Sequence, residues 1–161
     1  MSDRKYYELG HHTINLEPLP TEGWILDIGG GGEGIIGHLM GKQVIAIDLR
    51  KDELEETDSD ALKIIMDATD LKFLDETFPM VTAFYALMYM PTHVQQKVFA
   101  EIYRVLEPGG YFLLWDVHIP TRPETDLDIA VITLTIELRG MKGQTGYGCR
   151  WPEKELSLAH Y

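Results

Sequence analysis

Cysteine is nearly absent. Cys149 stands alone in 161 residues, which excludes an internal disulfide and any multi-cysteine zinc or iron–sulfur site and fits a reducing cytoplasm. Long apolar runs are also missing: the longest mostly apolar stretch, Met80 to Met90, falls far short of the ~20 residues that a bilayer span needs. The start, Met1-Ser2-Asp3-Arg4-Lys5, leads into no apolar signal region. A soluble, cytoplasmic protein with no membrane partner is expected. Positive charge is scarce, with 14 Lys+Arg against 26 Asp+Glu and a formal net charge of -12, and so negative a surface repels the phosphate backbone on which nucleic-acid affinity depends. Nucleic acid is therefore not an expected partner. No cluster of carboxylates stands out as a metal site, and His11 and His12 are adjacent, so in an extended segment their side chains diverge. No metal is expected.

What is present suffices for one core: 45% of the residues are hydrophobic in a chain about one domain long. Five short runs, Trp24–Ile28, Val44–Ile47, Ile64–Met66, Met80–Tyr85 and Tyr111–Trp115, are β-branched or aromatic and nearly continuous. Strands covered on both faces have that pattern, so five parallel strands are read. The clearest crossover helix is His93–Leu106, where Val94, Val98, Ile102 and Val105 recur at helical spacing. Thr92 with Gln95 has the form of a capping box, and Pro108-Gly109-Gly110 turns the chain into the next strand. Gly34–Met40 allows two helical turns at most, and Lys51–Leu62 is read as a thinly anchored helix. Its Asp52–Asp60 stretch, six of nine residues acidic, reads as a solvated surface.

Pro120–Asp126 is a candidate linker. Beyond it Asp128–Leu138 alternates like a strand, Gly140–Gly148 with four glycines reads as a flexible loop, and Pro152–Tyr161 opens like an amphipathic helix. One domain in three parts is expected: an N-terminal segment, 1–23, as a candidate lid carrying Tyr6-Tyr7 and His11-His12; a cofactor-binding core, 24–118; and an appended strand, loop and helix start, 119–161.

The chemistry is concentrated in Ile25-Leu26-Asp27-Ile28-Gly29-Gly30-Gly31-Gly32-Glu33-Gly34, a buried strand running into a glycine loop and a short helix. Glycine lets backbone approach a ligand, and a helix start offers free N–H donors. Gly29, Gly31 and Gly34 satisfy G-x-G-x-x-G, so the glycines alone do not choose a cofactor. Asp27 does discriminate, because a carboxylate two residues before the first glycine sits badly beside a pyrophosphate and suits an ammonium group. Nineteen residues after Gly29, the second strand ends in Asp48, where a carboxylate can accept both hydroxyls of a ribose. Asp67, closing the third strand, can accept from an exocyclic adenine amine while the Ala68 N–H donates to the ring.

In these residues, together with Val81 to Met90 and the Leu106-Glu107-Pro108-Gly109-Gly110-Tyr111 turn, the sequence resembles the class I S-adenosylmethionine-dependent methyltransferases. The resemblance spans residues 24–116 and implies an α/β Rossmann-like fold, doubly wound on a mostly parallel sheet. It implies that Gly29, Gly30 and Gly31 line the methionine part of S-adenosyl-L-methionine with Asp27 near its ammonium. Asp48 would hold the ribose, Asp67 and Ala68 the adenine, and Ala83, Phe84 and Tyr85 would face the sulfonium. The sequence departs from the family in the Glu33-Gly34 order, which widens the loop, in a shortened helix after the second strand, and in lacking the two C-terminal antiparallel strands. Truncation is the expected reason for the last, and a truncated sheet exposes an edge through which chains associate; monomer and homodimer both stay open.

The implied reaction is in-line methyl transfer to a small-molecule acceptor, which proximity and orientation can largely drive. His118, two residues past Asp116, is the candidate base; His93, in the first turn of its helix, is a weaker one. Tyr85, Met88, Tyr89 and His118 are the candidate acceptor pocket. Ala83-Phe84-Tyr85-Ala86 stands where amino-methylating relatives carry Asn/Asp-Pro-Pro-aromatic, which argues against a nucleic-acid or protein amine. The alternatives are a non-catalytic cofactor-binding or interaction protein, a protein or RNA methyltransferase, and an NAD-dependent oxidoreductase, the last opposed by Asp27 and the Pro108-Gly109-Gly110 turn.

Overall fold

The computed structural model of the chain describes residues 6–151, which fall into two compact units: Pro18–Asp116, and the described parts of Met1–Glu17 with Val117–Tyr161. The elements in chain order are β1 (Tyr7–Leu16), β2 (Ile25–Ile28), α1 (Ile35–Met40), β3 (Val44–Asp48), α2 (Lys51–Glu56) and β4 (Leu62–Ile65). They continue with β5 (Phe78–Phe84), α3 (Thr92–Val105), β6 (Leu106–Trp115), β7 (Ile129–Leu138) and β8 (Met141–Arg150). Among the described residues no helix is long and apolar enough to cross a membrane.

In Pro18–Asp116 the five strands form one sheet in the order β4-β3-β2-β5-β6, every neighbouring pair parallel. Burial explains the continuous apolar runs: all of β2 and all of β5 except Pro79 are buried. The third strand is shorter than Ile64–Met66 suggests at its end and longer at its start, closing at Ile65. The helices α1 and α2 are six residues each, as thin as their few apolar anchors imply.

The long helix α3 presents Gln95, Val98, Ile102 and Val105 inward. The expected capping box does not form. Pro91 precedes the helix without a side-chain cap, and the Gln95 Nε2 donates instead to the Leu87 and Met90 carbonyls at 2.9 and 3.1 Å. Those carbonyls belong to the buried turn ahead of the helix, and satisfying them takes the side chain inward, away from the helix start. At the far end β6 follows α3 without a break. Phe78 pairs with Leu106 and Met80 with Tyr111, so residues 107–110 bulge out opposite Pro79.

The other unit holds a three-stranded sheet in the order β1-β7-β8, β1 parallel and β8 antiparallel to β7. One expectation is corrected here. The glycine-rich segment expected to be a flexible loop is strand β8: ladder hydrogen bonds need backbone only, and the β-branched Val131 and Thr133 stand opposite Gly148 and Gly146. Arg139 and Gly140, at φ 49° and 80°, make the two-residue turn between Leu138 and Met141, the left-handed pair whose twist suits a hairpin. The candidate lid is largely strand β1, where both ring nitrogens of His11 lie 2.9 Å from the Thr133 and Thr135 hydroxyls. The helix expected from Pro152 lies outside the described residues.

Candidate cofactor site

The chain leaves β2 toward β3 on one side and returns to β5 on the other, so the strand order reverses between β2 and β5. Ligands of open parallel sheets bind in the crevice at such a point, beyond the carboxyl ends of the strands. The glycine loop lies there. Gly29 has φ +69°, and a Cβ on it would stand 2.5 Å from the Ala86 Cβ, so the loop after β2 and the rim after β5 touch and only glycine fits between them. The Gly30 N–H donates to the Ile47 carbonyl at 3.0 Å and the Gly32 N–H to the Glu53 carbonyl at 2.8 Å, pinning the loop to β3 and α2.

Asp27 is 2% exposed. Burial pushes its carboxyl up to about 7, opposed by the Thr82 hydroxyl, which donates to Oδ1 at 2.6 Å, and reinforced by the charge of Asp48. A Cβ on Gly30 would meet Asp27 Oδ2 at 2.6 Å, so that oxygen is turned to the loop. Asp48 ends β3 and accepts the Arg50 N–H at 2.9 Å through Oδ1, while its Oδ2 faces Gly31. Glu53 packs against the same glycines with an ion pair to Arg50 at 2.8 Å, and burial holds its carboxyl above the usual range. Asp67 is exposed beyond β4 and accepts the Thr69 N–H and hydroxyl, both at 2.8 Å; the backbone bond, first, and the hydroxyl hold it below the usual carboxylate range. Ala68 beside it is buried.

On the rim after β5, Ala83, Phe84 and Tyr85 are buried. Tyr85 sits at φ 50°, an uncommon conformation for an aromatic residue, with its N–H donating to the Trp115 carbonyl at 2.7 Å. Burial, with a smaller push from Asp116, raises its phenol to about 12. Phe84 packs tilted against Tyr85 and Trp115, with centroids 5.2 and 5.7 Å away. Met88 is buried in the turn that follows, whereas Tyr89 is 52% exposed.

Residues 26–114 match a family described as methyltransferase domain. The chain belongs to the class I S-adenosylmethionine-dependent methyltransferases. That membership decides between the two cofactor readings the glycine spacing left open, in favour of S-adenosyl-L-methionine. Sterol 4-C-methyltransferase strm-1 of Caenorhabditis elegans is 34% identical over 103 residues, 57% of this chain and 30% of that protein. The ubiquinone/menaquinone biosynthesis C-methyltransferase UbiE of Desulfotalea psychrophila is 34% identical over 113 residues, 64% of this chain and 45% of that protein. The crystal structure of the YcgJ protein of Bacillus subtilis superposes with a TM-score of 0.52 at 27% identity, over 66% of this chain and 48% of that one. The methyltransferase chain thus spans less than half the length of each of these three.

Within this methyltransferase domain, the ten cofactor-site residues expected from sequence all lie in Pro18–Asp116, at or just past the carboxyl ends of β2, β3, β4 and β5. His118 lies in the other unit and is exposed. Three side chains at the site escaped the sequence reading. Thr82 is a polar residue inside the apolar run Met80–Phe84. Leu49, 65% exposed directly after Asp48, is an open apolar surface beside a carboxylate. Glu53 was absorbed in an acidic run read as solvated surface, yet it turns toward the loop.

Proposed function

We propose that Pro18–Asp116 binds S-adenosyl-L-methionine across the carboxyl ends of β2, β3, β4 and β5, and that the protein transfers its methyl group to a small-molecule acceptor. The observation that carries this reading is Asp27, a buried carboxylate aimed at a glycine loop that Asp48 and Glu53 also face. Three acidic groups around one loop disfavour a pyrophosphate and suit a cationic ligand, so the residues fit the cofactor. Asp27 holds the ammonium, Gly29, Gly30 and Gly31 lie along the methionine part, Asp48 accepts from the ribose, and exposed Leu49 offers an apolar surface to the adenine that Asp67 and Ala68 edge.

When bound, S-adenosyl-L-methionine supplies a methyl group on a positively charged sulfur whose leaving group is a neutral thioether. The chain's own task is then to orient and to exclude water. Buried Ala83, Phe84 and Tyr85 close the sulfonium end, and Tyr85, Met88 and Tyr89 line the acceptor side. The names of the sterol and quinone relatives support a small organic acceptor over a macromolecule.

Calorimetric titration with S-adenosylmethionine, its demethylated product and NADH side by side tests the reading. Binding of the first two without NADH is expected. Binding of NADH alone would overturn it, and cofactor binding with no methyl transfer to any sterol, quinone or amine would leave a non-catalytic binding protein. Asp48→Ala should weaken cofactor binding roughly a hundredfold or more, the loss of two charge-assisted hydrogen bonds.

A further inference from the structure

We infer that Thr82 is a positioning residue for cofactor binding, its hydroxyl fixing the Asp27 carboxylate so that the second oxygen is presented to the glycine loop. This role rests on the reading of Asp27 proposed above. Parallel pairing of β2 with β5 sets Asp27 beside Thr82, so the two side chains stand on one face of the sheet as a consequence of register. Both are buried, Thr82 completely. A hydroxyl inside a strand covered on both faces costs free energy unless it is bonded, and its bond to Asp27 Oδ1 at 2.6 Å has the length of a charge-assisted hydrogen bond.

With Oδ1 taken by Thr82, Oδ2 is the oxygen that faces Gly30. The groups around Asp27 are Thr82 from β5, the Asp48 carboxylate from the end of β3, and the glycine loop from its own strand. None of these is a cation. Thr82 therefore does two things at once: it holds the carboxylate in one rotamer, and by donating it favours the charged form over the proton-bearing one. Replacing it by a residue of the same shape without a donor leaves a buried carboxylate that takes up a proton more readily and points less definitely.

The test is titration calorimetry of S-adenosylhomocysteine against the parent, Thr82→Val and Thr82→Ser, between about pH 5.5 and 9, a range in which an α-amino group ordinarily loses its proton only near 8. This ligand keeps the amino group and lacks the sulfonium charge, so its affinity reports the ammonium end. Loss of affinity on the acid side then belongs to the protein. Thr82→Val should bind about tenfold more weakly at neutral pH, with the midpoint of the acid-side loss moved upward, and Thr82→Ser should restore both. An unmoved midpoint in Thr82→Val, or an equal loss in Thr82→Ser, would overturn the role. Thr82→Cys, close in volume with only a weak S–H donor, gives the same reading if valine disturbs folding. Carboxyl-carbon NMR of Asp27 separates the two claims: if the parent binds no ligand yet the Asp27 midpoint rises in Thr82→Val, the pair stands and the cofactor reading falls, and a midpoint that stays put removes the pair.

Discussion

The two units use the same residue types to opposite ends. In Pro18–Asp116 the strands are parallel, the central β2 and β5 are buried on both faces while the edge strands β4 and β6 are partly exposed, and the glycines after β2 are wedged: Gly29 against Ala86, Gly30 against Asp27 and Ala46. In the β1-β7-β8 sheet, β7 alternates through much of its length, Ala130, Ile132 and Leu134 buried beside half-buried Val131 and Thr133. Its glycine-bearing partner β8 is looser, with nothing within 4 Å of a Cβ on Gly143 and ordinary contacts at 3.5 Å on Gly146, though a Cβ on Gly148 would stand 3.2 Å from Val131. Glycine therefore marks close approach in the loop after β2 and mostly open room at Gly143 and Gly146 of β8. Side chains of β2, β3, α2 and the rim after β5 can press this close on the loop only because it carries none of its own.

The sharpest way to break that contrast is Gly29→Ala. A side chain at φ +69° and a Cβ 2.5 Å from that of Ala86 combine backbone strain with overpacking, together about 3 kcal/mol. Urea unfolding should show that loss, and cofactor binding should fall with it, because the loop must shift away from β5. A variant as stable as the parent would mean that loop and rim are not in contact.

Asp27→Asn is next. Burial raises the folded-state pKa of Asp27 from 3.8 to about 7. A group with a raised folded-state value contributes stability that is fully present below its unfolded value and is lost as pH rises through its folded one, here between 3.8 and about 7. Asparagine avoids ionisation, so the variant should be about 4 kcal/mol more stable than the parent at pH 8 and no more stable at pH 4. Its cofactor affinity should nevertheless be lower, a site held at the expense of stability. Denaturant midpoints that differ equally at both pH values would remove the burial argument.

Gln95→Ala probes a contact that supports the rim. The Leu87 and Met90 carbonyls lose their shared donor, at a cost of about 2 kcal/mol for acceptors left buried. Gln95→Glu, which has no amide donor, should fail to rescue at neutral pH, as judged by thermal unfolding.

Legibility followed the same division. Continuous apolar runs announced the five parallel strands, and the spacing of Asp27, Gly29 and Asp48 announced the loop beside them, because a parallel core strand and a strand-to-glycine turn are written in consecutive residues. The β1-β7-β8 sheet was half legible. Alternation in 128–138 showed β7, but β8 carries glycine where a strand normally carries branched side chains, and β1 has two adjacent histidines and a glycine at its centre. Both are strands because β7 pairs with them across more than a hundred residues in one case and through an Arg139-Gly140 turn in the other. Gln95 was misread for a related reason: its local spacing to Thr92 is a capping pattern, and a demand from the preceding turn overrides it. Thr82 gives the opposite lesson, a polar residue in an apolar run whose partner, Asp27, becomes visible only through strand register.

The smallest expected effect carries the comparison in the other direction. Gly143 lies on β8 opposite Ile136, with open space where its Cβ would be and no left-handed backbone angle. Glycine inside a strand loses more conformational freedom on folding than alanine does, so Gly143→Ala should stabilise by about 0.5 kcal/mol. Gly140→Ala, three residues away, should do the reverse, since φ +80° in the hairpin turn disfavours any Cβ even though nothing crowds it. Thermal midpoints of the two variants, moving apart in opposite directions, would show that β8 is a strand by its ladder and its turn, with no packing demand at Gly143. A destabilised Gly143→Ala would instead reveal a partner surface pressed against that face and would erase the distinction between the two kinds of glycine.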